Sequence, residues 1–338
     1  MKTIGIMAAL LALTTGSAYA QAPERADTKI VLDFAYQGMH MGFTRGVDGG
    51  HYKREGLNVA VDRGYGSGDT VTKIASKTYD FGFADMNTLV KFNAEHPEAR
   101  VISVFQLFDR SLAAAIALKS SGIAKPQDLA GKSIAGSEGE GSRLLFPTFA
   151  KLVGIDAASV QWINVASNLR EAMVVKKQAQ AMTGFASTAF FNLKATGVPE
   201  GDITIFPYAD FGLDLYGNTV IVREDFAAQN PNMVAAFVRG TLAGMIDAMK
   251  DPVQGIASLK KRDSLMKDDL ELDRYKYVAE RSIRTANVRQ NGLGTIDKER
   301  LTRTIRVVAA SFGVKNPPAP EQIATDKFLP PRDKRMVP

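Results

Sequence analysis

The sequence predicts an α/β protein: two α/β lobes with a ligand cleft between them. Three observations predict it. Short apolar runs alternate with amphipathic runs of helical length from Lys29 onward, the pattern of βαβ units. The alternation comes in two successive series of about 100 residues each, a domain-sized length. A helix-rich stretch from Glu224 to Ala310 follows, which makes the first lobe discontinuous. In open α/β sheets, ligands sit at the carboxyl ends of strands against helix N-termini. Two such lobes face to face therefore make a cleft that closes around a small molecule.

Each element follows from its local pattern. In the first series, strands are expected at Lys29–Phe34, Leu57–Arg63, Tyr79–Ala84, Val101–Phe108 and Ala113–Leu118. Helices are expected between them at Met41–Glu55, Asp69–Thr78 and Asn87–Ala94. In the second series, Ser133–Ala135 leads into the glycine-rich loop Gly136–Gly141 and then a helix Ser142–Val153 closed by Gly154. Strands Ser159–Ile163, Ala179–Thr183, Ile203–Pro207 and Thr219–Val222 follow, with helices at Asn168–Lys176 and Ala189–Thr196. Such spacing predicts parallel sheets covered on both faces. The expected division is a leader at 1–20, a first lobe at 21–115 and 218–338, and a second lobe at 116–217. Crossings are expected near Ala115–Lys119 and Leu215–Val220.

Composition narrows the function. The chain has 338 residues, 45% of them hydrophobic, and a net charge of only +6, so disorder is excluded as its main state. No run of five like charges occurs, so no nucleic-acid-binding tail is indicated. There is no Cys, which removes disulfides, thiolate metal sites and Cys nucleophiles together. A total of three His argues against a multi-His metal centre, and no metal or cofactor is expected. Lys2, the apolar run Ile4–Leu13 and Ala18-Tyr19-Ala20 form the pattern of a secretory leader, with cleavage expected after Ala20.

Several motifs, in order, resemble one family. Leu32-Asp33-Phe34 is followed by His40 and Gly42; Tyr52-Lys53-Arg54-Glu55-Gly56-Leu57 ends a helix and opens a strand. Gly66-Ser67-Gly68, Asp80-Phe81-Gly82-Phe83-Ala84-Asp85 and Asp128-Leu129-Ala130-Gly131-Lys132-Ser133-Ile134 complete the set. Over nearly the whole mature chain they resemble the periplasmic substrate-binding proteins of ABC importers for nitrate, sulfonates, taurine and thiamine-pyrimidine precursors. The resemblance implies a type II periplasmic binding fold and a periplasmic location. It also implies an ABC permease and ATPase as partners, and a monomer as the usual form. The chain departs from the family in Phe34, where Trp is usual, and in Lys177-Gln178-Ala179-Gln180-Ala181.

Candidate ligand contacts lie at the expected strand ends. Tyr36, Gln37 and His40 fall between the first strand and helix, where Tyr36 can stack on a planar ligand. Ser67 and Gly68 offer N–H and O–H donors at a helix start. Asp85 and Met86 follow the third strand, and Asp85 is also placed to cap the next helix. In the glycine-rich loop, Ser137, Glu138, Gly141, Ser142 and Arg143 give the sharpest signal, with Arg143 the expected anchor for a carboxylate or sulfonate. Phe185 is a second ring wall, and Tyr208 lies at the return crossing.

These residues suggest a binding protein for a small planar or anionic organic ligand: a thiamine-pyrimidine-like heteroaromatic, an aromatic carboxylate or a sulfonate. No nucleophile–base set or paired carboxylates at informative spacing appears, so the expectation is that the chain is not an enzyme. The alternative is a pyrimidine-precursor synthase of the same fold. The fungal synthases carry a Cys-rich motif, which this chain lacks.

Overall fold

The computed structural model describes residues 21–338. The expected leader and its cleavage point lie outside the described residues. In chain order the strands are β1 (Asp27–Val31), β2 (Asn58–Asp62), β3 (Phe81–Asp85), β4 (Val101–Gln106), β5 (Ala113–Leu118), β6 (Ser133–Gly136), β7 (Gln161–Asn164), β8 (Ala181–Phe185), β9 (Ile203–Pro207) and β10 (Asn218–Arg223). They form two five-stranded sheets, ordered β2-β1-β3-β10-β4 and β7-β6-β8-β5-β9. Helices flank each sheet, as in the expected α/β architecture.

Neither sheet is wholly parallel. β10 runs antiparallel to β3 and β4, and β5 runs antiparallel to β8 and β9. The reason is topological. The other strands end at the cleft, whereas β5 and β10 begin at a crossing and must run away from it. Because β5 lies wholly in the second sheet, the first crossing falls at 107–112, ahead of the expected Ala115–Lys119. The expected lobe boundary at 115 falls inside β5. The second crossing spans 208–217.

Two expected helices are divided. The first becomes Met41–Asp48 and His51–Arg54, broken at Gly49-Gly50, where Gly50 has φ +68°. The helix after β6 becomes Gly141–Leu144 and Phe146–Leu152, with Pro147 in the first turn of the second piece.

Packing ties the lobes to their helices. Phe81 stacks on Phe237 of the long helix Pro231–Lys250 at 3.7 Å, and Phe149 stacks on Tyr208 at 4.3 Å. That long helix lies close against Met41–Asp48, and a Cβ on Gly244 would meet the Gly42 carbonyl at 2.4 Å. One apolar cluster runs through both lobes, from Val31 and Ile221 to Ile134 and Phe149. Charge binds the crossings: Arg110 lies 3.3 Å from both Asp210 and Asp214, and Arg300 reaches Asp109 at 3.2 Å and Asp214 at 3.0 Å.

Candidate ligand cleft

A cavity of about 240 Å³ opens between the two sheets, at the carboxyl ends of their parallel strands. On the first lobe it is lined by Asp33 and Phe34 after β1, and by the segment Tyr65–Asp69 after β2. On the second lobe Ser137, Gly139 and Glu140 follow β6, Ser167 and Arg170 follow β7, and Phe185 and Thr188 belong to the end of β8 and its helix. The backbone explains the first wall. Gly66 precedes the helix Ser67–Ala75 with φ +128°, a conformation that favours glycine, and its N–H donates to the Asp33 carbonyl at 2.7 Å.

Each wall carries an acid, Asp33 buried and Glu140 partly so. Asp33 accepts from His40 Nε2 at 2.8 Å on one oxygen and from Asn218 Nδ2 at 2.7 Å on the other. His40 Nδ1 accepts from the Gln37 N–H at 3.1 Å, which assigns the ring proton to Nε2. Opposite, Glu140 pairs with Arg170, whose Nη1 and Nε also donate to the Thr183 and Ser167 carbonyls at 2.8 and 2.9 Å. Arg170 is 1% exposed. Burial raises the Glu140 carboxyl above its ordinary value, with Arg170 acting in the opposite sense.

Of the residues nominated from sequence, Ser67, Gly68, Ser137 and Phe185 line this cavity. The others are placed elsewhere. The Tyr36 hydroxyl donates to the Val61 carbonyl at 2.7 Å, which turns the ring along the first lobe rather than over the cavity. His40 is fully buried behind Asp33, its ring edge-on to Phe83. Gln37 spans the lobes, accepting from Thr188 Oγ1 at 3.0 Å. Asp85 caps the helix Met86–Glu95, accepting from the Asn87 and Thr88 N–H groups at 3.1 Å each, and Met86 lies in the core. Gly141 packs on Asp85, where an added Cβ would meet Oδ1 at 2.6 Å. Ser142 is buried, and its carbonyl accepts from the Tyr208 hydroxyl at 3.0 Å, so Tyr208 belongs to the core. Glu138 is exposed.

The largest departure is Arg143. Its guanidinium lies 4.6 Å from the centroid of Trp162 and donates to the Gly136 carbonyl at 2.8 Å and Asn164 Oδ1 at 3.2 Å. An aromatic face and two acceptors on its own lobe hold it away from the cavity, so the expected anion anchor is not there. Sequence reasoning missed Tyr65, Asp69, Ser167 and Arg170. The signal for the last two was the strand–turn–helix grammar at Ser167-Asn168, the same as at the glycine loop but without glycines.

A family model described as "NMT1/THI5 like" matches residues 37–255. The chain belongs to this family. A relative from Chloroflexus aurantiacus, named riboflavin-binding protein RibY, is 27% identical over 83% of this chain and 80% of its own length. A relative from Legionella pneumophila, named 4-amino-5-hydroxymethyl-2-methylpyrimidine phosphate synthase, is 24% identical over 83% of this chain and 85% of its own. The latter corrects the expectation that the chain is not an enzyme: relatives named as enzymes share its sequence pattern, so enzymes and binding proteins belong to one group. Among solved structures, the alkanesulfonate-binding protein SsuA from Xanthomonas axonopodis pv. citri, bound to MOPS, superposes with a TM-score of 0.70. It is 12% identical and covers 89% of this chain and 99% of its own, which establishes the shared periplasmic binding fold. Among the described residues, no helix is long and apolar enough to cross a membrane.

Proposed function

We propose that this chain is the exported solute-binding component of an ABC importer, and that it captures a small, planar, N–H-bearing heterocycle by closing its two lobes. The observation that carries the reading is the charge of the cavity. Asp33, Asp69 and Glu140 line it; Glu140 is engaged by Arg170 and Asp69 by Lys73 at 2.7 Å, which leaves Asp33 as the acid with no cation beside it. Such walls favour a ligand that donates hydrogen bonds over a carboxylate or sulfonate. Phe34 and Phe185, one from each lobe, supply apolar walls for a flat ring. The volume of about 240 Å³ lies under the roughly 300–1,000 Å³ usual for larger ligands, which suits one ring better than several. Names of the relatives support a heteroaromatic ligand: riboflavin in one, an aminopyrimidine product in the other.

Those same relatives support a second reading, in which a bound pyrimidine precursor undergoes reaction in this cleft. One experiment addresses both. The mature protein is unfolded, refolded to remove any carried ligand, and melted with an aminopyrimidine, riboflavin, an aromatic carboxylate and an alkanesulfonate in turn. A ligand at 100 times its Kd stabilises by about 2.7 kcal/mol. We expect a shift with the aminopyrimidine and none with the two anions; a shift with the sulfonate alone overturns the charge argument. Chromatography of each incubation separates capture from reaction, since a captured ligand is recovered unchanged.

A further inference from the structure

We infer that the buried ion pair Glu271–Arg274 is a positioning element that sets the width of the cleft. Both residues lie on the helix Asp268–Val278, which the chain adds after it has returned to the first lobe. They are 6% and 2% exposed. Arg274 grips Glu271 through Nε at 2.9 Å and Nη2 at 3.1 Å. Its Nη1 then donates to the Ser187 and Thr188 carbonyls at 2.6 and 3.2 Å, and Nη2 to Asn192 Oδ1 at 3.2 Å. All three acceptors belong to the second-lobe helix Ala186–Ala195. In the other direction, Glu271 Oε2 accepts from the Gly38 N–H at 2.6 Å, in the turn that follows Phe34. The fit is close there, because a Cβ on Gly38 would lie 2.0 Å from the Glu271 carbonyl oxygen.

One ion pair thus joins both walls. Thr188 lines the cavity from the second lobe, Phe34 from the first, and the Thr188 hydroxyl donates across to Gln37. The same helical strap continues over the lobe boundary. Tyr277 packs on Phe191 with centroids 5.9 Å apart, Arg281 reaches Asp210 at 3.3 Å, and the Ser282 hydroxyl donates to the Arg110 carbonyl. Lobes joined only at 107–112 and 208–217 are free to rotate about those two segments. The strap adds a third connection: separation would leave the Glu271–Arg274 pair intact on its helix but would take the buried Arg274 guanidinium from its Ser187, Thr188 and Asn192 acceptors, and an unpaired buried donor is costly. The strap therefore sets the spacing from which the two lobes close on a ligand, and that spacing selects ligands by ring size. This last step rests on the ligand reading above; the lobe geometry does not.

The test uses the full mature chain, which has no Cys of its own, so that cysteines introduced at Arg63 and Asn168 carry spin labels on opposite cleft rims. The double variant Glu271→Gln, Arg274→Met removes both charges together, so no lone ion remains buried. Circular dichroism and a thermal melt establish that it folds. Without any added ligand, the parent should give one narrow label-to-label distance, and the double variant a longer and broader distribution. An unchanged distribution in the folded double variant overturns the inference. Should that variant not fold, Asn192→Ala, which removes a second-lobe acceptor of Arg274 and leaves the ion pair whole, is read the same way. In a second arm, the preference for an aminopyrimidine over riboflavin should fall towards unity when the pair is removed. Failure of both probes to bind the parent would count against the proposed ligand alone, since the distance arm contains no ligand.

Discussion

The two walls of the cavity each centre on a carboxylate shielded from bulk water, and the two are held in opposite ways. Asp33 is held by a neutral imidazole and an amide, His40 and Asn218, so its partners orient it without opposing its charge. Glu140 is held by the guanidinium of Arg170, so its partner cancels its charge. The first wall keeps a net acceptor facing the cavity, whereas the second is closer to a neutral shelf. Two strand–loop–helix units of similar grammar therefore differ in what they offer a ligand, and the difference comes from which long-range partner each acid meets.

The largest expected effect comes from breaking the second wall. In Arg170→Ala, Glu140 stays in place without its cation. Removing one partner of a buried pair costs about 3–5 kcal/mol, and urea unfolding should show a loss of that order. Glu140→Gln with Arg170→Met removes the charge along with its partner and should recover most of it. If the single variant is as stable as the parent, Glu140 is solvated and the neutral-shelf description fails. A smaller loss is expected on the first wall from Asp33→Asn, because Asn still accepts from His40 Nε2 and only the bond from Asn218 must be remade, by turning over the Asn218 amide so that its oxygen accepts.

A smaller effect tests where the walls meet. Asp85 of the first lobe packs on Gly141 of the second, and burial lifts its carboxyl from an ordinary 3.8 to about 6. A carboxyl raised in the folded state holds its proton more tightly there than in the unfolded chain. Folding then loses stability as pH rises from about 4 to about 6, and regains it on acidification through the same window. At about 1.4 kcal/mol for each pH unit across that window, the upper scale of the loss is about 3 kcal/mol. Asp85→Asn carries no such titration. Urea unfolding at pH 4 and pH 7 should therefore show the parent losing ground to Asp85→Asn at the higher pH. Parallel pH profiles would place the Asp85 carboxyl in water.

What was legible in the sequence follows from the range of the forces involved. Strand ends, glycine turns and helix starts depend on neighbours a few residues away, and the loops they define do surround the cavity: Ser67, Gly68, Ser137 and Phe185 lie on its walls. The direction of a side chain within a loop depends on partners far along the chain. Glu140 finds Arg170, and Gln37 finds Thr188, 151 residues away. The antiparallel strands were hidden for a related reason. Ala113–Leu118 and Asn218–Arg223 read as buried apolar runs, and such a run carries no mark of its direction. Arg274 and Glu271 were invisible because on their own helix they form an ordinary i,i+3 pair.

The smallest effect concerns Arg143, the residue that local pattern alone singles out most strongly as a ligand anchor. Its guanidinium rests on Trp162 and on acceptors of its own lobe, outside the cavity. Arg143→Ala should therefore leave ligand affinity unchanged and cost about 0.5–1 kcal/mol of stability, the scale of a partly exposed cation–π contact. Trp162 is the chain's single tryptophan, so its fluorescence reports the loss of the contact directly. Titration of the variant with whichever compound shifts the parent's melting point provides the other half of the test. A tenfold loss of affinity, about 1.4 kcal/mol, with no change in Trp162 emission would return Arg143 to the cleft. The second wall would then present a cation to the ligand, and the contrast with Asp33 would become one of opposite charges rather than of a charge and its absence.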